Sequence, residues 1–363
     1  KVTAATSSAP RLKPSHTSEF EIGLDVDFLQ RFSFSAVYAN GVTSDQFLEA
    51  PQSSFANGWR QQWVNAGTLE TNTVEASLNA KIVTTNSFSW SANVVFDRGR
   101  NTITELNIPP YQTGPEGQEA NKAFYIREGE TFGVMYGTHF LRSMDMLEKQ
   151  IDHMDGTRDD YTLNAHGFVI PLGTEGTVNE APIKQLDEEG KLAFVKIGDA
   201  NPDFKMGFSS TMRFKSLSLY VLFDWKQGGD IYNKTAQWLT RDDRHGMMDQ
   251  AGKPENQKKT IDYYKAFYDV NQFNDFWIED GTYVKLREAS LSLNLNKRDL
   301  SKVALGFMKG AKISIIGRNL LTFTNYSGFD PEVGTTDGTQ IYAYDFMGYP
   351  NFRSFSASVE LKF

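Results

Sequence analysis

The sequence predicts an all-β protein and, within that class, an antiparallel transmembrane β-barrel. The first observation is that long stretches alternate strictly between apolar and polar residues. The second is their length, because they extend over ~9–11 residues, enough to cross a bilayer when tilted, whereas globular strands average ~5–6 residues. The third is that short links between the stretches alternate with long ones, as in barrels with turns at one rim and loops at the other.

The C-terminal stretch shows the alternation most clearly. From Phe355 to Phe363, apolar side chains alternate with Ser, Glu and Lys. A period of two residues is typical of a strand with one apolar and one polar face. We therefore expect the apolar side chains to contact hydrocarbon and the polar ones to line a wet lumen. We also predict a barrel-assembly signal in this strand, formed by Phe355, Val359, Leu361 and Phe363.

Eight further strands are predicted upstream. The first carries four carboxylates on one face, and these cannot be buried in a core at tolerable cost. The apolar residues of the eight strands lie at 20–28, 32–38, 74–82, 88–96, 204–214, 217–225, 284–295 and 313–315. In the seventh strand the parity of the apolar residues changes, and a β-bulge between Arg287 and Ala289 would restore it.

Two long segments, residues 97–203 and 228–282, are predicted to be extracellular loops, and we expect the first to be irregular. The nine strands form an odd number, whereas bacterial barrels usually have an even one. An open sheet would also expose unpaired edges to lipid. We therefore expect residues 1–363 to be the C-terminal part of a larger barrel, with more chain before Lys1.

Composition excludes several other functions. The formal net charge of -8 argues against a nucleic-acid partner. The chain has no cysteine, which excludes disulfides and thiol catalysis. Its five histidines are scattered, and no HExxH, GxSxG, P-loop or dinucleotide-binding pattern is present. We therefore predict that the protein is not an enzyme.

Seven segments carry a family resemblance. They are RLKPSHTSEFEIGLDVDF (11–28), NAGTLETNTVEASLNA (65–80), EGETFGVMYG (128–137), IGDANPDFKMGF (197–208), DGTYVKLREASLSLNL (280–295), GRNLLTFTNYSGFDPE (317–332) and YPNFRSFSASVELKF (349–363). In this order, they resemble the C-terminal portion of a SusC/RagA-type TonB-dependent outer-membrane transporter. The resemblance implies a multi-pass outer-membrane barrel of about 22 strands, a plug domain, an N-terminal segment that contacts TonB, and a SusD-like lipoprotein lid.

The resemblance does not imply a cofactor. Many family members carry an Asp-rich stretch before the GDxNPDF segment, whereas this chain has QLDEEGKLAFVKIGD at 185–199. The acidic stretch 152–160 could ligate Ca²⁺ through its oxygen atoms, but it lacks EF-hand spacing, and a solvated loop is the interpretation that we favour. No metal site is predicted.

Aromatic residues in the predicted loops are the candidate substrate-binding residues, because their faces can stack on sugars or peptide side chains. They are Trp59, Trp63, Tyr111, Tyr125, Trp238, Tyr263, Tyr264 and Trp277. The alternative, which we favour, is that these rings pack the loops against each other or against the lid. A second set of aromatic residues suits the girdles at the membrane interfaces. This set comprises Trp90, Phe96, Phe204, Phe214 and Trp225.

Charged residues on the polar faces have two interpretations. They could line the substrate path or bond to the plug, and we favour the plug. They are Glu19, Glu21, Asp25, Asp27, Lys81, Lys205, Arg213, Glu360 and Lys362.

Three functions remain open from the sequence. The first is TonB-dependent import of oligosaccharides or peptides across the outer membrane. The second is a structural or assembly role, in which a SusC-like barrel is a subunit of a larger outer-membrane complex and transports nothing. The third is a soluble carbohydrate-binding sandwich, which would fold without detergent.

Overall fold

The computed structural model describes residues 7–8, 12–51, 61–114, 122–269, 272–302, 305, 307–332, 334–336 and 341–363. Nine long strands form one antiparallel sheet in chain order. They are β1 (His16–Phe28), β2 (Phe32–Pro51), β3 (Gln61–Thr84), β4 (Phe88–Leu106), β5 (Pro202–Phe214), β6 (Leu217–Gly228), β7 (Tyr283–Asn296), β8 (Gly310–Thr324) and β9 (Ser354–Lys362). The nine predicted strands are therefore confirmed.

The register places like side chains on like faces across the sheet. Phe208 in β5 lies opposite Val94 and Phe223, whereas the next residue, Ser209, lies opposite Asn93. Because successive side chains of a strand point to opposite faces, one face of the sheet is apolar and the other is largely polar. The pairing of β7 with β8 shifts between Leu286 and Glu288, which confirms the predicted β-bulge.

The apolar face of the sheet is not covered by protein. The exposed fractions of Phe20, Phe208 and Val359 are 61%, 39% and 64%. A soluble sandwich would bury these side chains against a second layer, whereas a lipid-facing wall leaves them outward. The fold is that of a transmembrane β-barrel wall, whose edges within the described residues are β1 and β9.

The two rims of the sheet differ. At the turn rim, residues 29–31, 85–87, 215–216 and 297–309 connect neighbouring strands. Leu29 and Gln30 both have positive φ, as a type I′ hairpin turn requires. At the loop rim, the described parts of the connections lie within residues 107–201, 229–282 and 325–353. This alternation of turns and loops is the one that the sequence predicts.

The expectation that residues 97–203 are irregular is wrong. Strand β4 continues to Leu106, and the following segment contains small sheets. The short strands in the part of the chain that the structure describes are Ser7–Ser8, Tyr111–Thr113, Phe124–Ile126, Val134–Gly137, Tyr161–Leu163, Val169–Pro171, Val195–Asp199, Asp230–Asn233, Ile278–Asp280, Thr335–Thr336, Ile341–Tyr342 and Tyr344–Asp345. Strands of two to five residues are too short for an alternating pattern to show in the sequence.

The main hydrophobic core lies in the loops, not in the sheet. It joins the two long loops and the last one through the buried residues Ala123, Phe124, Met135, Phe140, Phe168, Tyr232, Ala236, Tyr263, Tyr264, Phe267, Phe273, Trp277 and Tyr344. The α-helices found among the described residues are α1 (Met144–Glu148), α2 (Lys234–Arg241), α3 (Ile261–Lys265) and α4 (Lys297–Ser301). Within the described residues, the structure contains no helix with the length and apolar character that a membrane span needs.

Candidate functional site

The polar face of the sheet carries the predicted lumen charges. Asp27 pairs with Ser33, Ser33 with Asn79, and Asn79 with Asn93, so that one polar row crosses four strands. The same register puts all nine predicted charged residues on this face: Glu19, Glu21, Asp25, Asp27, Lys81, Lys205, Arg213, Glu360 and Lys362. Their role along a substrate path or against a plug stays a prediction.

A network of charges near the loop rim was not foreseen from the sequence. Lys285 in β7 is only 2% exposed, and its Nζ lies 2.5 Å from Asp330 Oδ1 and also contacts Glu332. Arg287 Nε donates to Asp224 Oδ2 at 2.9 Å, and Arg287 Nη1 donates to Glu332 Oε2 at 2.6 Å. The network therefore joins two strands of the wall to the segment that follows β8.

The β-bulge explains how Glu288 reaches the same face as Lys285 and Arg287. In an unbroken strand, Arg287 would share a face with Lys285 but Glu288 would not. The bulge inserts one residue, so that Glu288 also faces the polar side, where Arg318 Nε donates to it at 2.9 Å. Three charged residues of β7 thus reach the same face, while Leu286 and Ala289 keep their positions on the apolar one.

Glu332 is the centre of the network. Burial alone would raise the pKa of its carboxyl, but hydrogen bonds from Arg287 and Lys285 outweigh this effect and lower the pKa to about 2. The carboxylate is therefore charged throughout the physiological range. Together with Asp330, it fixes the GFDPE segment to the wall of the sheet.

Several predicted loop aromatics are buried. Tyr263, Tyr264 and Trp277 belong to the hydrophobic core of the loops, and Trp277 Nε1 donates to the carbonyl oxygen of Phe267 at 2.8 Å. Their rings have no free face for a ligand in this structure, which favours the packing interpretation for these three. Trp59 lies outside the described residues.

The other predicted loop aromatics keep accessible surface. Trp63 is exposed in β3, and Tyr111 is half-buried. Trp238 packs edge-on against Phe346 with ring centroids 4.8 Å apart, while the Arg241 guanidinium lies 4.2 Å from the centroid of its ring. For these residues a substrate contact stays a prediction.

Tyr125 belongs to an aromatic cluster, which we call the aromatic triad and which consists of Tyr125, Tyr136 and Phe194. The ring centroid of Tyr125 lies 4.8 Å from that of Tyr136 and 5.3 Å from that of Phe194. Phe194 is 46% exposed. Tyr136 OH donates to Glu130 at 2.8 Å, and Lys196 Nζ lies 3.1 Å from Glu130. The surface thus combines ring faces with charges of both signs, a combination that suits amphipathic ligands.

The place of the buried Tyr136 and the exposed Phe194 in this aromatic triad was not predicted from the sequence. Tyr136 lies in the strand Val134–Gly137, and Phe194 directly precedes the strand Val195–Asp199. The two residues are 58 positions apart in the chain, and the four-stranded loop sheet brings them together. The EGETFGVMYG segment contains Tyr136, so the resemblance pointed to the region but not to the contact.

The predicted girdle residues lie on the apolar face in two bands. Phe204 contacts Phe96 and Trp225 towards the loop rim, with ring centroids 5.7 Å and 4.9 Å apart. Trp90 and Phe214 lie towards the turn rim, where Trp90 Nε1 donates to Ser210 Oγ at 2.9 Å. Ten residues along β5 measure ~33 Å, which a tilt of about 40° reduces to ~25 Å, the height of an apolar barrel band. The girdle role stays a prediction.

The terminal strand and the acidic stretch complete the predicted sites. Phe355, Val359 and Leu361 are exposed on the edge strand β9, and Phe363 is exposed directly after it. Their part in assembly stays a prediction. In the acidic stretch, Asp160 Oδ2 accepts hydrogen bonds from the Thr157 N–H and hydroxyl. The described part of the chain contains no group of three or more His, Asp or Glu side chains arranged to hold a metal ion.

Comparisons with known proteins place this fold in context. No family model matches the sequence. TonB-dependent receptor P3 of Formosa agariphila is 27% identical over 97% of this chain and 34% of its own length. TonB-dependent receptor P26 of the same organism is 24% identical over the whole chain and 36% of its own length. The chain thus spans about a third of the curated relatives that it matches.

Solved structures agree with the sequence relatives. The RagAB peptide importer in its closed-closed state superposes with a TM-score of 0.69 at 20% identity, over 96% of this chain and 35% of that one. Its open-open state gives a TM-score of 0.66 at 21% identity, over 98% of this chain and 35% of that one. The matched region is the C-terminal part of the relatives, and the strands cross the outer membrane many times. The chain is therefore similar in sequence to the C-terminal part of TonB-dependent receptors, and its fold is that of the barrel wall in the RagAB peptide importer.

Proposed function

We propose that the protein containing this chain imports large nutrients across the outer membrane in a TonB-dependent manner, together with a SusD-like lipoprotein. The observation that carries the proposal is the two-faced wall of nine strands, apolar outside and polar inside, in a chain whose curated relatives are named TonB-dependent receptors. Because the chain spans about a third of those relatives, the activity belongs to the whole protein. This chain supplies lumen wall and loop rim.

Peptides are the substrate class that we favour over oligosaccharides. The structural neighbours are described as a peptide importer. In addition, the aromatic triad lies beside Glu130 and Lys196, and such a surface can hold both the side chains and the charged groups of a peptide. A glycan could stack on the ring faces, but the paired charges would stabilise it less than they would a peptide.

The proposal is tested by deleting the gene and restoring it as the full-length wild type. We expect the deletion strain to lose uptake of labelled peptides longer than porins admit, and the wild-type gene to restore it. Uptake of labelled oligosaccharides should not change. Loss of oligosaccharide uptake alone would overturn the choice of substrate. Unchanged uptake of both, with loss of an outer-membrane complex, would favour the structural alternative.

The aromatic triad is tested in the same strain. The double substitution Tyr125→Ala with Phe194→Ala should raise the peptide concentration for half-maximal uptake about tenfold. The reason is that ring-stacking contacts of this kind are each worth ~0.5–1.5 kcal/mol. Phe329→Ala removes an exposed loop ring outside the triad and serves as the matched control. Equal effects of the two variants would show that the triad has no special role.

A further inference from the structure

Arg98 has an unusual place on the apolar face of the sheet. It lies two residues beyond Phe96 in β4 and opposite Val74 in β3, with no register shift between Phe96 and Arg98. Its side chain therefore points outward, on the side of the girdle rings. The residue is exposed, and within the described part of the chain no carboxylate forms an ion pair with it. The guanidinium group of an arginine in this place needs a hydrogen-bonding partner, which is either water or a group that does not belong to the protein.

The surroundings of Arg98 mark the depth at which it lies. On the turn-rim side, the rings of Phe96 and Phe204 form the end of the apolar band. On the loop-rim side, the outward residues of the neighbouring strand β3 are the polar Asn72 and Glu70. Asn40 Nδ2 donates to Glu70 at 2.8 Å and to Asn72 at 2.9 Å, and Asn72 lies opposite Arg100. Arg98 thus stands where the lipid-facing surface changes from hydrocarbon contact to headgroup contact.

A second arginine lies beside it. Arg100 occupies the same face, and its Nη2 lies 3.0 Å from Asp203 Oδ1 while its Nη1 donates to the Asn201 carbonyl at 3.2 Å. Arg100 is therefore held in place, with part of its charge balanced. The charge of the neighbouring Arg98 is not balanced by any carboxylate among the described residues. Guanidinium groups match phosphate oxygens in a bidentate manner.

We propose that Arg98, with Arg100 beside it, binds the phosphate of an outer-leaflet lipid headgroup. The loop rim is the extracellular rim of an outer-membrane barrel, so the lipid is one of the outer leaflet, where lipopolysaccharide carries such phosphates. The site fixes the depth of the barrel wall at β4 and lies on the opposite face of the sheet from the substrate path. It does not depend on the proposed import.

The test uses the full-length protein, purified from outer membranes in a mild detergent and analysed by native mass spectrometry for bound lipopolysaccharide. We expect Arg98→Gln to lower the bound fraction about fivefold, the ratio that corresponds to ~1 kcal/mol per cation at an anionic membrane surface. Arg98→Lys keeps the positive charge but cannot form the bidentate contact of a guanidinium group. Its bound fraction of lipid should therefore lie between those of the wild type and Arg98→Gln. Arg31→Gln, an exposed arginine at the turn rim, is the matched control and should bind as the wild type does.

Two further outcomes would overturn the proposal. An Arg98→Gln protein that retains the wild-type fraction of lipid shows that Arg98 is not a ligand. Displacement of the lipid by inorganic phosphate alone shows a free-anion site rather than a lipid site. If Arg98→Gln fails to assemble, the Arg98→Lys protein decides, because a bound fraction of lipid equal to that of the wild type would contradict a bidentate contact between Arg98 and the headgroup phosphate. Peptide uptake is measured in parallel, so that failure of the lipid site and failure of import are distinguishable.

Discussion

Lys259 carries a buried charge between the two long loops. Its side chain has no exposed surface, and its Nζ lies 2.7 Å from Glu180 and 2.9 Å from Glu175. Glu180 is equally buried and accepts a further hydrogen bond from Asn164 Nδ2 at 2.8 Å. A buried charge is stable only while its partners remain. The contact therefore holds residues 164–180 against α3, which begins just after Lys259.

Replacing Lys259 should separate these loops. In Lys259→Met the carboxylate of Glu180 stays buried without a cation, and breaking a buried pair in this way costs ~3–5 kcal/mol. We expect faster hydrogen exchange in residues 164–180 and 259–267, with unchanged exchange in the long strands. Lys258→Met removes the neighbouring exposed pair with Glu255 and should cost ~0–1 kcal/mol. Equal effects of the two substitutions would contradict the role assigned to Lys259.

The buried aromatics show what residue-level prediction from the sequence cannot do. Trp238 and Trp277 both lie in the second long loop, yet one is half-buried and the other belongs to the core. The difference arises because Trp277 meets Phe267 and Phe276 in the folded loop. Such contacts depend on how the residues of this loop fold together, and no local pattern encodes them. The sequence identifies the residue types but not which rings remain accessible.

At the scale of elements, the bulge in β7 was predictable and the charge network was not. A change of parity between Leu286 and Ala289 is a local signal, because one extra residue reverses which side chains face lipid. The partners of Lys285 are Asp330 and Glu332, more than 40 residues later in a loop. Only the return of that loop onto the wall brings them together.

The segment after β8 should depend on Lys285. In Lys285→Met two carboxylates, Asp330 and Glu332, lose their buried cation, at a cost of ~3–5 kcal/mol. We expect hydrogen exchange in residues 325–332 to rise to that of an open loop, while β8 itself stays protected. Lys312→Met, which removes an exposed lysine from the polar face of β8, is the matched control. Protection of the segment in Lys285→Met would show that the network does not anchor it.

The same segment should respond to acid. The pKa of Glu332 lies near 2 in the folded protein, below its ordinary value of 4.5. Below pH 4.5 the detached segment binds more protons than the anchored one, so that anchoring is complete above pH 4.5 and is lost as the pH falls towards 2. Exchange in residues 325–332, corrected for intrinsic rates, should rise over this window. In Glu332→Gln the exchange of these residues should not show this rise between pH 4.5 and 2. Exchange in the wild type that does not change over the same window would contradict the role of Glu332 in anchoring the segment.

At the scale of the whole molecule, the sequence predicted the wall and its two rims but not the loop core. Each long strand carries its own evidence, since lipid on one side and water on the other impose the same alternation on every strand. The loop core has no such uniform environment. Its strands, such as Val134–Gly137, are short and buried on both faces, and their apolar residues resemble any other short apolar run.

The two-faced wall leads to a prediction about membrane assembly. Phe208 and Ser209 are neighbours in β5, midway between the two aromatic bands, but they face opposite sides of the sheet. An arginine on the lipid face near the middle of the bilayer costs ~2–4 kcal/mol, whereas one in the lumen can remain hydrated. Phe208→Arg should therefore reduce the amount of heat-modifiable barrel in the outer membrane, and Ser209→Arg should leave most of it. Because both variants add the same side chain to the same strand, only the medium that each face meets differs between them. Equal loss in the two variants would mean that β5 does not separate lipid from water, and the membrane assignment of the wall would then fail.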